Sequence, residues 1–80
     1  MTTLEELQMI FREVFDDPEV VIRPEMTAQD IYGWDSLSNM TLMMAIEAHF
    51  KIKIPLDNQR EFNNIGSIHS FINKDRKSVV

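Results

Sequence analysis

Apolar side chains recur with helical spacing through the first part of the chain. They fall at Leu4, Leu7, Phe11, Val14 and Phe15, with Ile10 beside them. Thr3 with Glu6 matches a capping box, and the same motif one residue earlier offers a second register. Pro18 disfavours helical geometry in the residue before it, so the helix must end by then. The pattern predicts a first helix over residues 3–16.

Residues 17–35 lack helical periodicity and form a long connection. Loops of this length are uncommon in compact domains and are often functional. The connection contains Val20, Val21, Ile22, Pro24 and Ile31. We therefore expect it to pack across the helices, with one short turn at Thr27 to Tyr32.

The next helix should begin at Asp35 or Ser36, either of which can cap it, and end near Phe50. At about 100° per residue it has two apolar faces. One face is typical of a core: Asn39, Leu42, Met43, Ile46 and Phe50. The other lies on the side of Ser36: Leu37, Met40, Met44, Glu47 and Ala48. A surface helix of a small bundle needs only one buried face.

Two interpretations of the second face remain. It packs under the long connection, or it binds a partner through unbranched, adaptable methionines. Leu37 fits both interpretations equally, whereas Met40 and Met44 favour the partner surface.

The remaining sequence predicts two further helices. Residues 51–54 alternate lysine and isoleucine as a strand does, and Pro55 follows them. No second strand exists to pair with them, so an extended connector is favoured. Asp57 can cap a short helix over residues 58–62, and Asn63 or Asn64 can cap the last helix. The apolar stripe of that last helix is Ile65, Ile68, Phe71 and Ile72. The predicted fold is therefore all-α, with three main helices and one short helix.

Length, composition and charge narrow the function. Eighty residues make one small domain, which we assign to residues 1–75 with a frayed tail over 76–80. The absence of cysteine excludes a disulfide framework and thiolate metal sites. Residues 1–35 hold nine acids and two arginines, a net charge of −7, and residues 36–80 hold four acids and six bases, a net charge of +2. The net charge of −5 argues against binding nucleic acid, whose phosphates an acidic surface repels.

No signal peptide is visible at the N-terminus. No apolar run approaches the roughly 20 residues needed to cross a bilayer. We expect a cytoplasmic protein without membrane insertion.

The stretch GWDSLSNM places Ser36 at the start of the second helix, and three roles are possible for it. As a helix cap it would do nothing else. As a nucleophile it would need an oriented base, yet His49 points away from it and neither His49 nor His69 lies in an acid-paired motif, so we reject a hydrolase. As an attachment point it would hold a phosphodiester where the N–H groups and dipole of the helix stabilise negative charge.

The segment GWDSLSNMTLMMAIEAHFKIKIP resembles the D-S-L segment and second helix of acyl carrier proteins. The likeness extends over nearly the whole chain and includes the long loop and the short helix before the last one. It implies a four-helix acyl-carrier-like bundle in which Ser36 carries 4′-phosphopantetheine, transferred from coenzyme A by a phosphopantetheinyl transferase. It also implies that Asp35 assists this Mg²⁺-dependent transfer. The chain itself would be a carrier, with no catalytic residue and no resident metal.

The resemblance further implies that the second helix is the main recognition surface for acyl-loading and acyl-transfer enzymes or synthases. Leu37, Met40, Met44 and Glu47 are the positions assigned to partner binding, and the carrier is expected to be a monomer. Ser38, Thr41 and Ala48 stand where related carriers frequently have acids, which favours dedicated partners with a more apolar interface.

We therefore expect a standalone carrier of a fatty-acid, polyketide or other specialised pathway rather than the housekeeping fatty-acid carrier. An aminoacyl or peptidyl carrier of nonribosomal peptide synthesis is the alternative, although Trp34 disfavours it where those domains often have glycine. An unmodified helical interaction module is a third, weaker alternative.

Overall fold

A computed structural model describes residues 2–78, together with the side chains of residues 2–74. Four helices occur within this part of the chain: α1 (Thr3–Val14), α2 (Ser36–Phe50), α3 (Leu56–Arg60) and α4 (Ile65–Ser78). The prediction of an all-α fold with three main helices and one short helix is confirmed. The tail expected over residues 76–80 overlaps the last turn of α4, and its last two residues lie outside the described part.

The start and the end of α1 both differ from the prediction. The capping box uses Thr2 and Glu5, the second of the two registers, with the Glu5 N–H 3.2 Å from the Thr2 hydroxyl oxygen. The helix ends at Val14 rather than residue 16, because Asp16 adopts a left-handed conformation with φ of 51°. The Asp17 N–H then donates to the Arg12 carbonyl at 3.0 Å, which satisfies one of the last helical carbonyls.

The short helix α3 begins two residues before the predicted start, at Leu56. Pro55 rather than Asp57 occupies the capping position, and no side chain caps this helix. The choice left open for α4 falls on Asn64, whose side-chain oxygen accepts from the Ser67 N–H at 2.8 Å. Residues 52–55 form the expected extended connector into α3.

The long connection packs against the helices as predicted. Ile22 and Ile31 are buried in the core, and α1 holds the connection through a bond from the Ile22 N–H to the Gln8 side chain at 3.1 Å. The Pro24 carbonyl accepts from the Gly66 N–H of α4 at 2.7 Å. A Cβ at Gly66 would lie 3.0 Å from that carbonyl oxygen, so any larger residue there would push the connection away by a few tenths of an ångström.

The core lies where α1, α2 and α4 meet. Its fully buried large side chains are Phe11, Leu7, Leu42, Ile46, Ile65, Ile68 and Ile72. Burial of a side chain of this size contributes about 1.5–3 kcal/mol, and these residues fix the mutual positions of the three main helices. The predicted core face of α2 is confirmed at Leu42, Met43 and Ile46.

Candidate functional site

Trp34 anchors the approach to Ser36 against α1. Its ring packs edge-on against Phe11, with ring centres 5.3 Å apart, and lies 6.2 Å from the ring of Phe15. The indole N–H donates to the Asn39 side-chain oxygen of α2 at 2.9 Å. Trp34 thus connects the end of the long connection to α1 and α2. It lies one residue before Asp35, the acid that precedes Ser36.

A second set of bonds shapes the turn that enters α2. Gly33 has φ of +88°, a conformation that side chains other than glycine rarely adopt. Its carbonyl accepts from the Ser38 hydroxyl at 2.7 Å. The same hydroxyl accepts from the Asp35 N–H at 2.8 Å, and the Asp35 carboxylate accepts from the Ser38 N–H at 2.9 Å. Asp35, rather than Ser36, is therefore the N-cap, and it closes a capping box with Ser38.

Because Asp35 caps the helix, the Ser36 hydroxyl is left available. Ser36 is exposed at the first position of α2, and its hydroxyl makes no hydrogen bond to the described backbone or to the side chains of residues 2–74. A shallow groove of about 260 Å³ adjoins it between α2 and α3, bordered by Trp34, Asn39 and Phe62. The helix-cap role considered for Ser36 is therefore wrong, and the hydroxyl has room for a covalent substituent.

The pKa of the Asp35 carboxyl lies below its ordinary value, chiefly because the Ser38 N–H donates to it, and secondarily because of the Ser38 hydroxyl, whose oxygen lies 3.2 Å from the carboxylate. A carboxyl group whose pKa is lower in the folded state than in the unfolded state stabilises the fold at pH values above its ordinary pKa. This stabilisation is lost as pH falls through the lowered pKa.

We expect Asp35→Asn, which keeps a capping oxygen but no charge, to have a lower thermal midpoint than the native chain at neutral pH. The gap should close as pH falls from about 7 to about 2, because the native carboxyl becomes neutral as well. Thermal unfolding of both proteins across this range measures the gap. A gap that does not change with pH would contradict the assigned cause.

The two histidines are placed away from Ser36. His49 lies near the far end of α2, about 20 Å along the axis from Ser36, and its Nε2 is 3.3 Å from the Glu6 carboxylate. The His69 ring bonds the Asn73 side chain at 3.1 Å. Neither ring bonds Ser36, so this arrangement offers no base for a serine nucleophile.

The second apolar face of α2 points to solvent. Leu37, Met40 and Met44 are 76%, 63% and 68% exposed, and Ala48 is exposed as well. The interpretation that this face packs under the long connection is wrong, since the connection lies against α1 and the start of α4. Exposed apolar side chains that form a contiguous patch are typical of interaction surfaces.

Glu47, the only acid of α2, also has a structural role. Its carboxylate accepts from the Ile54 N–H at 2.7 Å and so holds the connector 51–55 against α2. The sequence pattern places Glu47 on the exposed face but gives no sign of this bond, because the pairing depends on the path of the connector. Sequence analysis likewise missed the roles of Ser38 and Gly33 in the turn before α2.

Residues 5–72 match the family described as "Phosphopantetheine attachment site". The acyl carrier protein of Caulobacter vibrioides is 39% identical over 70 residues, covering 86% of this chain and 88% of the relative. The chain belongs to the acyl carrier protein family.

Other relatives agree. The acyl carrier protein of Helicobacter pylori is 28% identical over 76 residues, covering 95% of the carrier and 97% of the relative. The solution structure of holo acyl carrier protein from Geobacter metallireducens superposes with a TM-score of 0.87 and is 43% identical, covering 96% of the carrier and 91% of that chain. The expected four-helix acyl-carrier fold is thereby confirmed.

Family membership settles the class of activity. The protein is a carrier and not a catalyst, its prosthetic group is covalently attached 4′-phosphopantetheine, and its partners are synthases and transferases. None of the helices in the described part of the carrier is long and apolar enough to span a membrane.

The exposure of Met44 allows a direct test of the second apolar face of α2, called the outer face below, which consists of Leu37, Met40, Met44, Glu47 and Ala48. We expect Met44→Arg to change the free energy of unfolding by no more than about 0.5 kcal/mol, as for other surface substitutions. The matched control is Met43→Arg, since Met43 is only 2% exposed and an arginine there would bury an unpaired charge. Urea unfolding of both variants measures the difference. A large loss of stability in Met44→Arg would place Met44 in the core.

Proposed function

We propose that the Ser36 hydroxyl is the attachment point of 4′-phosphopantetheine. On this proposal, the thiol of the group carries acyl thioesters between enzymes of a fatty-acid, polyketide or other specialised pathway. The observation that carries the proposal is the freedom of this hydroxyl. It is exposed at the first position of α2, makes no hydrogen bond to the described backbone or to the side chains of residues 2–74, and adjoins the groove between α2 and α3.

The proposed modification is a phosphoryl transfer from coenzyme A. The Ser36 oxygen bonds to the phosphorus that bears the pantetheine, the bond from that phosphorus to the adenosine-bisphosphate portion breaks, and the hydroxyl proton leaves. The product is a phosphodiester with a negative charge at the start of α2, where the helix dipole stabilises it. The Asp35 carboxylate, like any aspartate without a raised pKa, is ionised at neutral pH and can assist a Mg²⁺ ion brought by the transferase.

On this proposal, the outer face of α2 is where the partner enzymes dock. Leu37, Met40, Met44 and Glu47 are the assigned contacts, and the first three present their side chains to solvent. The partners are a phosphopantetheinyl transferase and the acyl-loading and acyl-transfer enzymes or synthases of the pathway. We further propose that the carrier acts as a monomer in the cytoplasm, where coenzyme A is available to the transferase.

The test begins with apo-carrier, a promiscuous phosphopantetheinyl transferase, Mg²⁺ and coenzyme A. Intact-protein mass spectrometry should show the addition of one phosphopantetheine, and fragmentation of the peptide containing GWDSLSNM should locate it on Ser36. Absence of any mass gain, or a modified residue other than Ser36, would overturn the proposal.

A further inference from the structure

The exposed face of α2 leads into a basic groove at the end of the helix away from Ser36. The groove has a volume of about 420 Å³ and is bordered by Met44, Glu47, Ala48, Lys51, Ile52 and Lys53. Lys51 follows the last residue of α2 in a left-handed conformation, and Lys53 lies in the extended connector. Both lysines are exposed, and among the side chains described, those of residues 2–74, neither ammonium group pairs with a carboxylate.

The one carboxylate that borders this groove, that of Glu47, already accepts a hydrogen bond within the carrier. Glu47 is half-buried, and its carboxylate accepts from the Ile54 N–H at 2.7 Å. A partner that contacts Met44 therefore also meets the exposed ammonium groups of Lys51 and Lys53, and one carboxylate that is hydrogen-bonded within the carrier. The residues that border the groove carry two positive charges and one negative charge, a net charge of +1, although the whole chain is acidic.

Two acids that precede Ser36 in the long connection, Asp35 and Asp30, likewise accept hydrogen bonds from backbone N–H groups. The Asp35 carboxylate accepts from the Ser38 N–H at 2.9 Å, and the Asp30 carboxylate accepts from the Thr27 N–H at 2.8 Å. Most of the remaining acids lie in α1 and the long connection, within the part of the chain that carries −7. The docking face of α2 thus combines a row of apolar side chains with a basic end.

Resting on the proposed function, we propose that the enzymes that load and unload this carrier present an apolar depression edged by carboxylates. The depression receives Met40 and Met44, and the carboxylates lie opposite Lys51 and Lys53. Charge complementarity carries this assignment, because opposite charges at the edge of an interface speed encounter and like charges oppose it. The apolar centre supplies the larger share of affinity, since a few buried side chains dominate most interfaces.

The test uses full-length holo-carrier and the acyl-loading activity in clarified extract of its native host. The initial rate at which the carrier acquires each acyl thioester is followed by intact-protein mass spectrometry. The double variant Lys51→Glu/Lys53→Glu should be loaded about tenfold more slowly at low salt, and the difference should shrink as ionic strength rises. Met44→Ala should be loaded more slowly by a similar factor at every salt concentration.

Matched controls keep these effects specific. Arg23→Glu/Lys74→Glu makes the same change in net charge at exposed positions outside α2 and the groove, and Met9→Ala shortens an exposed methionine of α1. Both should be loaded at the native rate. Unchanged or faster loading of Lys51→Glu/Lys53→Glu would overturn the proposal, since faster loading indicates a basic partner surface. Failure of the native holo-carrier to acquire any acyl group would instead contradict the proposed function.

Discussion

Replacing Ser36 with alanine is expected to abolish the addition of 4′-phosphopantetheine completely while the fold remains. The substitution removes the only atom to which the group is proposed to bind. It breaks no hydrogen bond within the described residues, because the Ser36 hydroxyl makes none there. The free energy of unfolding should therefore change by no more than about 0.5 kcal/mol. Mass spectrometry after incubation with transferase and coenzyme A measures the first effect, and urea unfolding measures the second.

Ser38→Ala is the matched control for this experiment. It removes the hydroxyl that bonds the Gly33 carbonyl and the Asp35 N–H, so we expect a lower thermal midpoint. It leaves the Ser36 hydroxyl in place, so the protein should still gain one phosphopantetheine. A mass gain that persists in Ser36→Ala would show that another residue is modified, and unfolding of Ser36→Ala would make its loss of modification uninformative about chemistry. Urea unfolding of Ser36→Ala, for which near-native stability is expected, distinguishes these two cases.

Periodicity predicted most of the fold because it reports burial. The core stripes of α1, α2 and α4 came directly from apolar spacing, and the residues of those stripes are buried or partly buried. Helix ends were less predictable, since they depend on single backbone conformations. Pro18 suggested an end at residue 16, whereas the left-handed conformation of Asp16 ends α1 at Val14. The start of α3 was misplaced because the prediction relied on a side-chain cap by Asp57, whereas the helix begins after Pro55 with no side-chain cap.

The candidate site was likewise predicted only in part, because apolar spacing reports the faces of a helix and not the tertiary contacts of those faces. Sequence spacing placed Leu37, Met40 and Met44 on one face but did not decide whether the long connection covers them. That decision depends on tertiary bonds that periodicity does not encode, such as the Gly66 N–H donating to the Pro24 carbonyl. The use of Glu47 to hold the connector is another such bond. Attachment at Ser36 and the partner role of the outer face remain proposals that the experiments above address.

Phe11→Ala is expected to have the largest effect on stability. Phe11 is 0% exposed, and its ring contacts those of Phe15 and Trp34 at centre-to-centre distances of 5.6 and 5.3 Å. Truncation of a buried phenylalanine costs about 3–5 kcal/mol, because apolar contacts are lost and a cavity remains. An 80-residue domain has a total stability of about 4–12 kcal/mol, so this loss is a large part of it.

The same substitution should also loosen the approach to Ser36, because Phe11 supports the ring that anchors it. Trp34 is the only tryptophan of the chain, so its fluorescence reports this environment during urea unfolding. In Phe11→Ala we expect a lower midpoint and a native-state emission shifted to longer wavelength, as water reaches the indole. Met9→Ala, at a position of the same helix that is 47% exposed, should change neither by much. Equal midpoints for the two variants would contradict the stabilising role of Phe11. An emission in Phe11→Ala that is not shifted would show that α1 does not support the approach to Ser36 through Trp34.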